Sequence, residues 1–199
     1  MWQGGDVLFL LRHGQTAANA KARLQGGSDT SLDEIGEGQA RSIGQHISDR
    51  WTIDRVVTSS KRRAQETAVL AGFGEHETVI DHRWNEIDFG EFEDASVERA
   101  FATLSTRWRS DLEYVPPCGE SLAALHRRVA AGTEELIQEA QHSNILVVTH
   151  ATPIKSAIIW AIQGPPSMIM NLWITPGAVS VLGHQHDNVV LRQFNRSSN

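Results

Sequence analysis

The chain has 199 residues, a mass of 22.0 kDa and a formal net charge of −6, and these values favour one domain with a single core. The acidic balance argues against a sequence-independent nucleic-acid binder, because such a protein needs a basic face to neutralise phosphates. Cys118 is the only cysteine, so the chain forms no internal disulfide and offers no cysteine-rich zinc site. We expect residues 1–199 to form one domain.

The chain also carries no targeting signal that we can identify. Met1 to Asp6 contain no basic leader, and the apolar run that follows is too short for a signal peptide or a membrane span. The expected compartment is therefore a reducing cytoplasm, with no membrane partner. The oligomeric state stays open, and a homodimer is one alternative.

Short apolar runs alternate with amphipathic segments along the chain, which indicates a layered α/β domain with a mostly parallel sheet. The residues Ser59 and Ser60 are expected to form an N-cap pair for the helix that follows them. The predicted strands are Val7–Leu11, Arg55–Thr58, Val79–Ile80, Asn144–Thr149, Ala178–Leu182 and Val189–Phe194. The predicted helices are Leu32–Arg50, Lys61–Ala71, Ser121–Gln141 and Ala151–Ile162.

The two strongest predicted strands both end on a histidine. Val7–Leu11 leads into Arg12 and His13, and Asn144–Thr149 leads into His150. In an open α/β sheet, ligands bind at the carboxyl ends of the strands. If these strands are adjacent and parallel, the two imidazoles meet at one site, where a turn at Gly14 lets backbone amides face an oxyanion.

A second cationic feature lies at the start of the helix predicted from Lys61. Lys61, Arg62 and Arg63 place three positive charges where the helix dipole disfavours them by about 0.3 to 1 kcal/mol each. A bound anion between the arginines and the helix terminus would remove this conflict. The alternative is that Lys61, Arg62 and Arg63 simply point to solvent.

These motifs together resemble the histidine phosphatase superfamily, also called the phosphoglycerate mutase-like family, and in particular its small phosphatases. The resemblance spans nearly the whole chain in the order and spacing of the family. The segments that carry it are Leu11-Arg12-His13-Gly14-Gln15-Thr16, Asn19, Arg23-Leu24-Gln25-Gly26, Asp29, Leu32, Gly36, Arg63-Ala64, Thr67-Ala68, Glu86, Phe89-Gly90, Gly119-Glu120-Ser121 and Val147-Val148-Thr149-His150.

The resemblance implies a three-layer αβα sandwich and a metal-independent hydrolysis of a small phosphate monoester, without a cofactor. His13 is expected to attack phosphorus and form a phosphohistidine that water then hydrolyses. Arg12 and Arg63 would bind the non-bridging oxygens, and His150 would complete the pocket. Glu86 would donate a proton to the leaving oxygen and then activate water.

Several assignments from the resemblance leave alternatives open. Near Glu86, any of four other acids could act instead if only the residues are considered. These acids are Asp88, Glu91, Glu93 and Asp94. The positions matching the substrate pocket of the family also fit ordinary turn and cap chemistry. They are Asn19, Gln25, Gly26 and Ala151. The chain departs from the family at Asp94 and Ala151, where glycine is frequent.

Other functions remain as alternatives. A phosphoglycerate mutase shares the catalytic residues, but the segment between Asp94 and Gly119 is short for the covering insertion that mutases of the family carry. A non-catalytic phospho-ligand-binding module is disfavoured by the complete set of motif residues. A metal-dependent hydrolase is disfavoured because the remaining histidines lack ligand spacing, and His184 and His186 are interpreted as residues of a hairpin turn.

Overall fold

The computed structural model describes residues 7–76 and 78–198, and it forms a mixed six-stranded sheet with helices packed against it. The predicted absence of a leader at Met1 to Asp6 concerns residues outside these ranges. The strands are β1 (Val7–Arg12), β2 (Arg55–Thr58), β3 (Thr78–Ile80), β4 (Ile145–Thr149), β5 (Val179–Gln185) and β6 (Asn188–Arg196). The helices are α1 (Ala17–Ala20), α2 (Glu34–Ser48), α3 (Arg62–Ala68), α4 (Val97–Ser110), α5 (Leu122–Glu139) and α6 (Ala151–Ala161).

The sheet has the strand order β3-β2-β4-β1-β5-β6. Strands β1 to β4 run parallel to one another, whereas β5 and β6 pair antiparallel at one side of β1. The predicted α/β fold with a mostly parallel sheet is confirmed. The two strands that precede the histidines are direct neighbours, and Arg12 is paired with Thr149 in their register.

Both faces of the sheet are buried, which explains why β1 and β4 are uninterrupted apolar runs. Successive side chains of a strand point to opposite faces. Leu8 and Leu10 accordingly pack in one core with α4, α5 and α6, whereas Phe9 and Leu11 pack in a second core with α2 and α3. The arrangement is the three-layer sandwich expected from the sequence.

The helix starting after β2 differs from the sequence prediction. Helix α3 begins at Arg62 with Lys61 as its N-cap residue, so the predicted cap by Ser59 and Ser60 is wrong. The hydroxyl of Ser59 lies 2.8 Å from Nε2 of His150, and that of Ser60 bonds Asn85, so each hydroxyl has another partner. A widened turn over Val69–Phe73 follows, where Gly72 adopts a φ of 88°.

Helix α4 was not predicted from the sequence. It spans Val97–Ser110, and the hydroxyl of Ser96 accepts a hydrogen bond from the Arg99 amide at its start. Leu104 and Trp108 are buried on one face and join the core that also contains α5 and α6. The helix therefore occupies most of the short segment between the acidic motif and Gly119.

Candidate active site

The parallel pairing of β1 and β4 brings His13 and His150 together at the carboxyl ends of the two strands. The His13 amide donates to the Thr149 carbonyl at 2.9 Å, so the backbone itself ties the two strand ends together. The centroids of the two imidazole rings lie 5.1 Å apart with an interplanar angle of 62°. His13 is 3% exposed and His150 is fully buried.

The protonation of His13 follows from its hydrogen bond. Its Nδ1 atom lies 2.7 Å from the carbonyl oxygen of Gly14, and a carbonyl oxygen can only accept. The proton is therefore on Nδ1, and Nε2 carries a lone pair. Burial lowers the pKa of His13 well below its usual value, and the charges of Arg63 and Arg12 lower it further. The ring is thus neutral at neutral pH, as a nucleophile requires.

His150 has the opposite tautomer. The Nε atom of Arg63 donates to Nδ1 of His150 at 3.2 Å, and a guanidinium group has no acceptor. The proton of the neutral ring is therefore on Nε2, which lies 2.8 Å from the Ser59 hydroxyl oxygen. Burial, followed by the charge of Arg63, lowers the pKa of His150 well below its usual value. His150 is a neutral hydrogen-bond donor, and Ser59 is a site residue that the sequence analysis missed.

Arg12 supplies a cation with an unused donor. Its Nη1 atom donates to the Ile174 carbonyl at 2.5 Å, whereas its buried Nε atom makes no hydrogen bond. Burial lowers the pKa of Arg12 to about 10, so the group remains charged at neutral pH. An unpaired buried donor costs about 1 to 3 kcal/mol, and an anionic ligand would satisfy it.

The sequence predicts that the guanidinium of Arg63 binds phosphate oxygens through two N–H groups. In the structure, this guanidinium bonds other protein groups. Besides its bond to His150, it donates to carbonyl groups of the loop after α1. The Ser28 and Gly26 carbonyls accept at 2.7 and 3.2 Å. Burial lowers the pKa of Arg63 to about 10. In this structure Arg63 therefore supports the pocket loop and orients His150, and it contributes a buried positive charge.

The other two cations at the start of α3 bond groups other than the histidines. Lys61 Nζ donates to the Gly27 carbonyl at 2.6 Å, and the exposed Arg62 pairs with Glu66 at 2.7 Å. The Asp29 carboxylate accepts from the Arg62 amide at 2.7 Å. A carboxylate at a helix N-terminus is stabilising, so Asp29 relieves the charge conflict that the sequence showed for Lys61 and Arg62.

Glu86 lies at the entrance of the site, between the acidic segment and α6. Its Oε1 atom accepts from the Ile87 amide at 2.8 Å and its Oε2 atom from the Thr152 amide at 3.3 Å. The carboxyl group is half-buried and lines an open cleft of about 230 Å³ together with Gly26 and Lys61. Glu86 is close enough to Arg12 and Arg63 for its charge to raise the pKa of both.

The competing acids are placed less favourably than Glu86. Glu91 and Asp94 are exposed, and Asp94 pairs with Arg23. Asp88 lines the same cleft as Glu86, but it is exposed and its carboxylate accepts from the Gly90 amide at 2.9 Å. Glu93 accepts hydrogen bonds from the amides of residues 26 to 28. Burial acts to raise the pKa of Glu93, but these hydrogen bonds outweigh it and lower the pKa. Glu93 is therefore a structural carboxylate that holds the pocket loop.

The four residues expected to contact the substrate have varied surroundings. Asn19 forms a capping box with Thr16 at the start of α1, and its Oδ1 atom accepts from the Thr16 amide at 3.2 Å. Gln25 is buried and accepts a hydrogen bond from the hydroxyl of Thr16 at 3.0 Å. Gly26 lines the cleft beside Glu86, and Ala151 is the half-buried first residue of α6. Of these four residues, Gly26 is the one that shares the cleft with Glu86.

Two further residues near the acid were not predicted. Lys155 lies on α6 three residues after Thr152, whose amide bonds Glu86. Burial lowers the pKa of Lys155, and the nearby charge of Glu86 acts to raise it. Arg128, on α5, donates to the backbone of the Glu86 segment. In sequence, Arg128 is indistinguishable from a solvated cation beside Arg127.

Across residues 7–76 and 78–198, no cluster of three or more His, Cys, Asp or Glu side chains is arranged to hold a metal ion. The same part of the chain contains no helix with the length and hydropathy needed to cross a bilayer. His184 and His186 lie at the end of β5 and in the turn before β6, as the predicted hairpin requires.

Comparison with known proteins agrees with this geometry. The sequence model of the histidine phosphatase superfamily (branch 1) matches residues 8–197. The chain belongs to the histidine phosphatase superfamily. It is 33% identical over 178 residues to the "Bifunctional protein Rv2228c" of Mycobacterium tuberculosis, covering 87% of this chain and 49% of that protein. This chain therefore spans about half the length of that relative.

Other members of the superfamily match over more of their own length. A "Probable phosphoglycerate mutase GpmB" of Yersinia enterocolitica is 29% identical over 89% of this chain and 85% of that protein. The crystal structure of a putative alpha-ribazole-5'-P phosphatase from Escherichia coli superposes with a TM-score of 0.83. The two chains share 28% identity, and the match covers 97% of each. This chain thus resembles a putative phosphatase in fold and a protein named as a probable mutase in sequence.

One departure from the family pattern has a structural explanation. Asp94 has a φ of 59°, in the left-handed region that glycine adopts without strain. Asp is one of the side chains that tolerate this conformation. Its carboxylate and carbonyl oxygens both accept from Arg23, which fixes the loop beside the acidic segment.

Proposed function

We propose that this protein hydrolyses a small phosphate monoester through a phosphohistidine on His13, without a metal ion or cofactor. The observation that carries the proposal is the pairing of a nucleophile with an unused cationic donor. The free lone pair on Nε2 of His13 follows from its bond to Gly14, and the unpartnered buried Nε of Arg12 belongs to the preceding residue. A candidate attacking nitrogen and an unused cationic donor therefore belong to consecutive residues at the end of β1.

The first step forms the phosphoenzyme. Nε2 of His13 attacks phosphorus, the bond from phosphorus to the ester oxygen breaks, and the protonated carboxyl group of Glu86 gives its proton to that oxygen. In the second step, Glu86 as carboxylate takes a proton from water, the water oxygen attacks phosphorus, and the bond from phosphorus to Nε2 breaks. Inorganic phosphate leaves, and Glu86 is again protonated.

The positive charge in the site supports both steps. The guanidinium groups of Arg12 and Arg63 are buried beside His13, where low dielectric strengthens their interaction with a transferring phosphoryl group. The neutral ring of His150 is fixed between Arg63, which donates to its Nδ1 atom, and the Ser59 hydroxyl beside its Nε2 atom. Catalysis of phosphoryl transfer consists mainly of such positioning and charge stabilisation.

Phosphoglycerate mutase activity is a second candidate, because relatives with that name match most of this chain. A mutase must keep water from the phosphohistidine, whereas the cleft beside Glu86 is open to solvent. The short segment after Asp94 is filled by α4, which packs into the core. These features favour hydrolysis. The cytoplasmic location, the small phosphorylated substrate, the homodimer and the absence of nucleic-acid and membrane partners stay predictions from the sequence.

The test is phosphate release from a panel of phosphate monoesters by the purified protein. We expect turnover that survives a chelator, is inhibited by vanadate and is abolished in His13→Ala. The matched control is His142→Ala, which removes an exposed histidine. Activity lost with the chelator would indicate a metal-dependent hydrolase, and isomerisation of a phosphoglycerate without net phosphate release would indicate a mutase. No turnover on any ester would favour a binding module.

A further inference from the structure

The segment that carries Glu86 has an unusual hydrogen-bonding pattern. Residues Asn85 to Phe89 form neither helix nor strand, so their carbonyl groups have no partners within a regular element. Yet four consecutive carbonyls, from Arg83 to Glu86, each accept a hydrogen bond from a side chain of another element. The backbone of this segment is therefore fixed by side chains of other elements.

Arg128 supplies most of these bonds. Its Nη1 atom donates to the Arg83 and Asn85 carbonyls at 2.6 and 2.8 Å, and its Nη2 atom donates to the Glu86 carbonyl at 3.3 Å. The fourth carbonyl, that of Trp84, accepts from the Thr149 hydroxyl at the end of β4. One side chain on α5 thus binds three of the four carbonyls, including that of the proposed acid.

The guanidinium of Arg128 is itself fixed by Glu120. Its Nε and Nη2 atoms bond the two carboxylate oxygens of Glu120 at 2.7 and 2.8 Å. The side chains of Arg128 and Glu120 are only 22% and 21% exposed. The Glu120 amide also donates to the Asp88 carbonyl at 2.9 Å. The pair therefore holds the chain on both sides of Glu86, and we call Arg128 and Glu120 the clamp.

We propose that Arg128, oriented by Glu120, is a positioning residue that fixes Glu86 for proton transfer to the leaving oxygen. This inference rests on the proposed function, because it assumes that Glu86 is the acid. Arg128 lines the cleft beside Glu86, donates to the Glu86 backbone and bonds neither imidazole. Its loss is therefore expected to disturb the acid and to leave the phosphate pocket in place.

The chemistry requires such a device. Positioned acids contribute about 10² to 10⁴ in rate, and a displacement of about 1 Å can cost about 10². A planar guanidinium can bond a carboxylate through two N–H groups while its other N–H groups bond carbonyls, whereas lysine offers only a point charge. Lysine at position 128 is therefore expected to keep the charge and lose the geometry.

A positioning role makes a prediction that a purely structural role does not. Loss of a general acid matters most for a basic leaving group, and little for an aryloxide that leaves without a proton. The value of kcat/KM reports formation of the phosphoenzyme from free enzyme and substrate. A dependence of kcat/KM on the pKa of the leaving group therefore isolates the step that Glu86 assists.

The experiment compares wild type, Arg128→Lys, Arg128→Met and Glu86→Gln with aryl phosphates of increasing leaving-group pKa and one alkyl phosphate. The matched control is Arg127→Met, which removes a neighbouring arginine of α5 whose pair with Glu113 is 63% exposed on each side. We expect Arg128→Lys to lose about tenfold to about a hundredfold in kcat/KM on the alkyl phosphate. On a dinitrophenyl phosphate we expect Arg128→Lys to lose less than about threefold in kcat/KM, and we expect the same of Glu86→Gln.

The outcomes separate the two proposals. A wild type without turnover overturns the proposed function and the clamp together. A wild type that turns over, with a leaving-group-dependent loss in Glu86→Gln but an equal loss on all substrates or none in Arg128→Lys, overturns the clamp alone. An equal loss on all substrates in Glu86→Gln would show that Glu86 is not the acid, and it would therefore also overturn the role proposed for the clamp. If Arg128→Met does not fold, Arg128→Lys decides the question, with thermal unfolding confirming its native state.

Discussion

The two buried histidines make the stability of the folded protein sensitive to mild acid. The pKa values of His13 and His150 are both well below their usual value, mainly because the rings are buried. The unfolded chain, with histidine pKa values of about 6.5, therefore binds protons on acidification that the folded protein does not. The stability that the neutral rings confer is fully present above about pH 6.5 and is lost as the pH falls toward their folded pKa values.

The magnitude follows from proton linkage. Each histidine that stays neutral in the folded state loses about 1.4 kcal/mol of unfolding free energy between about pH 7.5 and about pH 5.5. Two histidines that stay neutral over this range together lose about 3 kcal/mol, which is a large part of a total stability of about 5 to 15 kcal/mol.

The assay is urea unfolding of wild type, His150→Gln and His13→Gln at both pH values, monitored by tryptophan fluorescence. Each variant removes one titrating group, so we expect the loss of unfolding free energy between the two pH values to shrink by about 1 kcal/mol, whatever the absolute stability of the variant. His142→Gln, which removes an exposed histidine, is the control and is expected to follow wild type. Equal pH dependence in wild type and His150→Gln would refute the assignment of a neutral buried ring.

Three further substitutions test the packing of the site. Gly14→Ala places a methyl group 2.3 Å from the Gly36 carbonyl oxygen, so we expect a loss of about 1 to 3 kcal/mol in urea unfolding and a fall in turnover; wild-type values would contradict the close approach. Asp94→Ala is expected to be less stable than Asp94→Gly by about 1 kcal/mol, because only alanine strains the positive φ, and the reverse order would contradict that backbone conformation. Ser59→Ala removes the hydroxyl beside Nε2 of His150, and we expect kcat to fall while the protein stays folded by circular dichroism.

The sequence was sufficient to predict the sheet and the residues that meet at its edge. The apolar runs before His13 and His150 carry no polar residue on either face, and only a strand in a doubly covered sheet buries such a run. Two such strands ending on histidines, with an arginine-bearing helix between them in sequence, limited the site to the carboxyl edge. Helix α4 was not predicted because only three of its 14 residues, Ala100, Leu104 and Trp108, are buried, so its apolar stripe is narrow.

The sequence could not show how the cations are used. Arg63 and Arg128 are both arginines beside another arginine, yet one orients His150 and the other holds the carbonyl groups of the acidic segment. These roles depend on backbone carbonyl groups, which every residue type possesses and which leave no mark on the sequence. The tautomers of His13 and His150 likewise depend on their hydrogen-bond partners, which the sequence does not show.

Strand β1 lies inside the sheet, with β4 on one side and β5 on the other, so its amides are bonded within the most interior part of the structure. Amide hydrogen exchange at β1 is expected to need nearly global unfolding, whereas the irregular segment around Glu86, whose carbonyls are bonded by side chains rather than by a ladder, is expected to open at a lower cost. Under denaturing conditions, the segment that carries Glu86 would then unfold before the strand that precedes His13. On the proposed mechanism, a partly destabilised protein would keep His13 beside β4 after the acidic segment had opened, and it would then accept phosphoryl groups only from esters whose leaving oxygen needs no proton.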